Sequence, residues 1–222
     1  MKTAHIHLLR VYIPDTDITP DTVFNWALYD EKAQLQNTSS DVVSSLPAAK
    51  RLELILPAAS VRLLTLSVPS SSRAQIQKLL PFALEDKLIT PPDASHTVLG
   101  RWANRQENSA NKQKTVAVAS ADKVWLQALI AQFTQAGKNP QAAYSELQCL
   151  PERVEQEAHL YWQPTQAWWL QNQQADYIWQ DAPDAALTPP QEAEVIHLWH
   201  PVDSTPPTVA SSALINTQPW QW

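Results

Sequence analysis

Glycine is nearly missing from this chain: Gly100 and Gly137 are the only two, against 18 prolines. Loops that cradle phosphate with backbone N–H groups need clustered glycine, so neither a GxGxxG turn nor a Walker loop is present, and nucleotide chemistry by those routes is excluded. Cysteine is reduced to Cys149, which rules out an intramolecular disulfide and fits a reducing compartment. No stretch approaches the ~20 apolar residues of a spanning helix. The opening MKTAHIHLLRVYIP is too short and interrupted to read as a secretory signal. Positive charge is also scarce: the net charge is −6 and the pI about 5.4, which argues against a nucleic-acid surface.

What is present can build a core. Hydrophobic residues make up 44% of the 222, ten of them tryptophan, enough for one large domain or two to three small ones. The centre of interest is Ser71 to Leu88, where Ile76, Leu79, Leu80, Ala83, Leu84 and Leu88 recur at helical spacing as one apolar stripe. Gln75, Lys78, Glu85, Asp86 and Lys87 fall largely off it. Ser70, Ser71 and Ser72 offer hydroxyls to cap the first turn. Pro81 inside the pattern predicts either a kink or a junction between two shorter helices. Strand-like runs flank this helix: Leu52–Pro57 and Val61–Val68 before it, His96–Ala103 and Thr115–Ser120 after it. From Val61 the order is strand, helix, strand, strand.

The remaining segments read more simply. Residues 3–13 form a first strand, with His5 and His7 outward and Ile6 and Leu8 inward. A Pro- and Asp-rich turn leads to a hairpin partner at Val23–Tyr29, and a polar third strand runs through Gln34–Asn37. Asp41–Leu46 suits a helical turn. The polar run 104–114 reads as a solvated loop. A helix over Asp122–Ala136 carries the stripe Val124, Trp125, Ala128, Leu129 and Phe133, and Gly137 closes it. Gln141–Tyr144 is a short strand returning to the first sheet. Beyond Pro151 four short strands follow, at His159–Trp162, Ala167–Leu170, Tyr177–Trp179 and Val195–Trp199. Trp162, Trp168, Trp169 and Trp179 are expected to line one side of that sheet. Residues 181–190 and 201–207 read as linkers, and Ser211–Trp222 starts as a helix or strand.

These residues carry a family resemblance. ELILPAASVRLLTLSVPSSSRAQIQKLLPFALEDKLITPPDASHTVLG resembles the cytoplasmic region of protein L of the bacterial type II secretion system, most specifically at LPFALEDKL, Leu80–Leu88. AVASADKVWLQALIAQFTQAGKNPQAAYSELQCLP is similar to that family's following strand, helix and turn. The likeness is good from about Arg51 to Pro151 and thins on either side. It implies an α+β fold of the actin-like ATPase superfamily, two ribonuclease-H-like subdomains with a strand-helix-strand-strand module inserted. The division it suggests is 1–58 with about 140–150, then the insert 59–139, then a Trp-rich β subdomain 151–222. The implied role is a non-catalytic scaffold at the cytoplasmic face of the inner membrane, recruiting the secretion ATPase, protein E, and touching protein M. It also implies a homodimer, no cofactor, no nucleic acid, and partner contact through Phe82, Glu85, Asp86 and Lys87. Near the end Ile215-Asn216 matches the family but Gln218-Pro219 stands where a glycine is expected. A membrane helix is therefore expected beyond residue 222, outside a soluble fragment.

Other constellations were weighed against plainer accounts. His5, His7, His197 and His200 could hold zinc if brought together, but no cysteine or carboxylate stands at ligand spacing. Polar strand faces explain them better, and no metal is expected. Asp15 and Asp17 occupy the place of an actin-like phosphate hairpin, yet PDTDITPD lacks its glycine. Ser70–Ser72 lack a nucleophile elbow. The tryptophans could stack sugars but more often fill a core. Two alternatives stay open: a related actin-like assembly protein of type IV pili, and an actin-like nucleotide hydrolase.

Overall fold

A computed structural model describes residues 7–14, 17–68, 72–85, 91–102, 114–150, 157–163, 166–171, 176–181, 194–201, 209 and 213–220. In chain order the elements are β1 (Leu8–Tyr12), β2 (Val23–Tyr29), β3 (Leu35–Val42), β4 (Arg51–Leu56), β5 (Val61–Val68) and α1 (Arg73–Glu85). Then come β6 (Ser95–Trp102), β7 (Lys114–Asp122), α2 (Lys123–Gln135) and β8 (Ala142–Ser145). The last are β9 (Glu157–Gln163), β10 (Gln166–Gln171), β11 (Asp176–Asp181), β12 (Val195–Pro201) and β13 (Leu214–Trp220). The expected helical turn near residue 43 is a 3-10 turn, Val43–Ser45.

Two five-stranded sheets repeat one topology. The first has the order β3-β2-β1-β4-β8 and the second β11-β10-β9-β12-β13. In each, three strands meander antiparallel, and the fourth and fifth then add in parallel on the other side of the first. This is the ribonuclease-H-like order, and its duplication makes the fold actin-like, as the resemblance implied. Ser211–Trp222 resolves as strand over Leu214–Trp220. Pro219 is tolerated there because β13 is an edge and needs no donor on its outer side.

The first sheet's core is set by alternation. Leu9 and Val11 on β1, Phe24 and Trp26 on β2, and Leu52 and Leu54 on β4 all project to one side. The inward set on β1 is thus Leu9 and Val11, 1% and 0% exposed; Leu8, expected inward, is only half-buried. The one-residue shift turns Arg10 to the opposite face, where its Nε donates to Glu53 Oε2 at 3.1 Å. Helix α2 covers the core face with Leu126, Leu129 and Phe133. Phe133 meets Phe24 edge-on, with ring centroids 5.3 Å apart. Val124 and Ala128, expected in that stripe, are exposed, and Trp125 is half-buried. At 100° per residue Val124 lies roughly 160° around the helix from Leu126. Asp122 caps α2, its carboxylate accepting from Trp125 N at 2.7 Å. At the other end Gly137 N–H donates to Thr134 O and Lys138 N–H to Phe133 O, both 2.9 Å, with Gly137 at φ +73°. That paired closure needs a left-handed residue, which accounts for one of the two glycines.

The tryptophans of the second sheet do not share a side. Trp168 belongs to the core that contains Leu9 and Phe24, whereas Trp169 packs with Ala158, Leu160, Ile196 and Leu198 on the far face. Adjacent residues of a strand must point oppositely, so a single-sided row was geometrically barred. The side chains of the other two are half-buried (Trp162) or outside the described residues (Trp179).

A third sheet, β5-β7-β6, is antiparallel throughout and stands apart from the two repeats. Its core is private: Leu66, Leu99, Val116 and Val118 pack against Ile76, Leu80 and Leu84 of α1. Strand β5 divides its faces, sending Leu66 to α1 and Val61 and Leu63 to the core of the first sheet. Gly100 lies so close to β7 that a Cβ would sit 3.2 Å from Ala117 O. Both glycines therefore serve backbone geometry.

Candidate interaction surface

Helix α1 begins with a reciprocal cap. Ser72 Oγ accepts from Gln75 N at 3.3 Å, while Gln75 Oε1 accepts from Ser72 N at 3.2 Å. Arg73 donates from its guanidinium to Leu99 O at 2.8 Å and pins this first turn to β6. The helix runs through Pro81 as one continuous element, so it does not split there. Its buried row is Ile76, Leu80 and Leu84, at 1%, 5% and 1% exposure. Leu79 and Ala83, expected in the stripe, are exposed, because the row that meets the sheet follows a spacing of four.

This narrow row leaves apolar surface facing outward. Phe82 is 73% exposed and Leu79 46%. They are three apart and so neighbours on the helix surface, and Lys78 and Glu85 flank Phe82 at four before and three after. Both of those charged residues are exposed. Phe82 and Leu79 thus form an uncovered apolar strip on a helix whose opposite face is packed against the sheet. Of the four residues the resemblance singled out, Phe82 and Glu85 lie on this face; Asp86 and Lys87 are outside the described residues.

The histidines expected on polar strand faces separate. His7 is exposed at the edge of β1, His5 lies outside the described residues, and His200 is buried. His197 and His200 are three apart on β12 and so face opposite sides. His197 instead joins Glu157 and His159, a set the sequence reading missed because their strands are far apart in the chain. His197 Nε2 is 3.3 Å from Glu157 Oε2, and its ring centroid is 4.9 Å from that of His159. Gln218 Nε2 approaches His197 Nδ1 at 3.2 Å, and Trp199 Nε1 donates to His159 Nδ1 at 3.3 Å. The Glu-x-His alternation on a strand was the available signal. Of the phosphate-hairpin pair, Asp17 is exposed and Asp15 lies outside the described residues. No helix among the described residues is long and apolar enough to cross a membrane.

Duplicated ribonuclease-H-like sheets with an inserted α+β module define an actin-like fold whose insert presents an apolar helix face. The chain belongs to the protein L family of the type II secretion system, whose family model matches residues 31–205. It is therefore a component of that system. Among solved structures it is similar to the cytoplasmic domain of EpsL, an inner membrane component of the type II secretion system of Vibrio cholerae. That match has a TM-score of 0.68 at 14% identity and covers 97% of this chain and 90% of the other. It is also similar to the PilM-PilN type IV pilus biogenesis complex, with a TM-score of 0.56 at 12% identity over 80% of this chain and 61% of that one. No curated protein matches at the sequence level.

Proposed function

We propose that this chain is a non-catalytic cytoplasmic scaffold of the type II secretion inner-membrane platform, and that α1 recruits the secretion ATPase, protein E. The observation that carries the reading is the exposed Phe82–Leu79 face on a module with its own core. The α1 side of the module packs in a core of its own, while the other face of β5 joins the core of the first sheet, so α1 can be shaped for a partner without disturbing that core. Phe82 supplies affinity as an aromatic anchor, and Lys78 and Glu85 supply register and association rate. Asp86 and Lys87, next in the chain, belong to the same proposed contact, and protein M of the inner-membrane platform is a further proposed partner. Homodimerisation belongs to the same proposal. The proposed insert spans residues 59–139, with the buried sides of both β5 and α2 joining it to the core of the first sheet.

A nucleotide hydrolase on the same fold is disfavoured because both glycines are committed elsewhere, one against β7 and one at the end of α2. The pilus-assembly alternative would keep the fold and change the partner. The experiment measures binding of the amino-terminal domain of the cognate secretion ATPase to the parent chain and to Phe82→Ser and Glu85→Lys variants. Phe82→Ser should weaken binding by about tenfold or more. Glu85→Lys should slow association and alter its salt dependence. Equal affinity across all three would move the interface off α1.

A further inference from the structure

Glu157 and His159 are two apart on β9, so both side chains leave the same face of the second sheet. His197 is the register partner of His159 on the adjacent parallel strand β12. One ligand atom from each of the three lies within 4.8 Å of the others. We propose that Glu157, His159 and His197 form a site for a divalent transition-metal ion, with zinc the best fit.

The donor set decides the metal class. Two imidazoles and a carboxylate suit zinc and its neighbours, whereas magnesium and calcium select all-oxygen cages. Three protein ligands leave the fourth tetrahedral position to water or to a side chain from a partner. His159 is fixed, being 3% exposed on the central strand of its sheet. Glu157 and His197 retain side-chain exposures of 29% and 17%, room for the small rotations that draw ligands to zinc-bonding distance.

The surrounding groups can reorganise to serve a metal. Gln218 and Asn216 place amide ends 3.2 and 3.5 Å from His197 Nδ1. Turned end for end, either amide presents its oxygen to an Nδ1 proton, which leaves the Nε2 lone pair facing Glu157. His197 keeps its single proton, which passes from Nε2 to Nδ1 as the ion binds. At His159 coordination displaces the bond from Trp199. If Nδ1 ligates, it gives up the bond from Trp199 Nε1; if Nε2 ligates, its proton moves to Nδ1 and Trp199 must turn aside. Without metal the same groups form a hydrogen-bonded network in which His197 Nε2–H donates to Glu157, and that network is the competing account.

The test titrates zinc chloride into chelator-treated full chain by calorimetry, alongside His197→Gln, Glu157→Gln and a His7→Gln control. The expected result is one zinc per chain for the parent and for His7→Gln, and at least tenfold weaker binding for the two cluster variants, each checked for folding by circular dichroism. Cobalt(II) added to the parent should give the intense visible bands of a low-coordinate site, a readout that stands even where a variant fails to fold. A pale octahedral cobalt spectrum, no zinc uptake by the parent, or equal affinity in parent and folded His197→Gln would overturn the proposal.

Discussion

Trp168 and Trp169 are neighbours on β10 and belong to different cores. Trp168 is 5% exposed and packs beside Tyr161, ring centroids 5.8 Å apart, within the core that the first sheet and α2 also fill. Trp169, 1% exposed, fills the opposite face with Leu160 and Leu198. Truncating either to Ala should cost about 3–5 kcal/mol. The consequences should differ in place. Trp168→Ala should lower hydrogen-exchange protection in β1 and β4 as well as in β9, whereas Trp169→Ala should leave β1 and β4 protected. Identical exchange maps for the two variants would contradict the division of cores.

The narrow buried row of α1 gives a paired test. Leu84→Ala removes a side chain that is 1% exposed and should cost about 2–5 kcal/mol in urea unfolding. Leu79→Ala, at a site 46% exposed, should stay within about 0.5 kcal/mol of the parent. A large loss at Leu79 would restore the broader stripe.

Much of this was legible because period changes mark elements. The change from partial alternation in β5 to helical spacing in α1 and back to a strand-like run in β6 is visible in the residue types, although the stripe they suggest is broader than the buried row. β2 and β4 followed from the same alternation, whereas β3, expected at Gln34–Asn37, runs over Leu35–Val42 because its exposed polar residues carry no alternation to mark its end. Faces were harder. On β10 both sides are buried, so Trp168 and Trp169 are apolar alike and no alternation remains to tell in from out. On α2 the error came from apolar Val124 next to the cap, where residue type alone cannot reveal exposure. The Glu157, His159 and His197 cluster depends on the register of β9 against β12, which only strand pairing supplies. The matching topology of the two sheets was reached through the family resemblance alone, since hydrogen-bond order leaves no repeat in residue types.

Cys149 should be a poor nucleophile in the folded chain. Burial raises its thiol from 9.0 to about 11, outweighing the opposing pull of Arg10. At pH 8 the thiolate fraction should therefore be roughly 100-fold below that of an ordinary cysteine. Iodoacetamide labelling should be slow in buffer and fast in urea. The linkage sign follows: a thiol with its pKa raised by folding ionises first in the unfolded chain, so stability is retained below pH 9 and declines as pH rises toward 11. Tyr12, raised in the same direction chiefly by burial, adds to that alkaline loss. Equal labelling rates with and without urea would show that the thiol is not shielded.

Pro81 sets a last test, one in which two effects oppose. Inside α1 it supplies no N–H to the carbonyl of Gln77 and crowds the preceding turn, at a cost of roughly 3 kcal/mol. It also restricts the unfolded chain, which returns about 0.4–1 kcal/mol of stability. The helix term is the larger, and Pro81 is exposed, so its removal sacrifices no buried contact. Pro81→Ala should accordingly stabilise the chain by roughly 2 kcal/mol, read as a rise in melting midpoint and in the urea midpoint at constant slope. Leu84 should stay buried in the variant, because the row of Ile76, Leu80 and Leu84 keeps its spacing. A lowered midpoint would mean that Pro81 bends α1 onto β6 and β7 and that the packing of Leu84 depends on that bend.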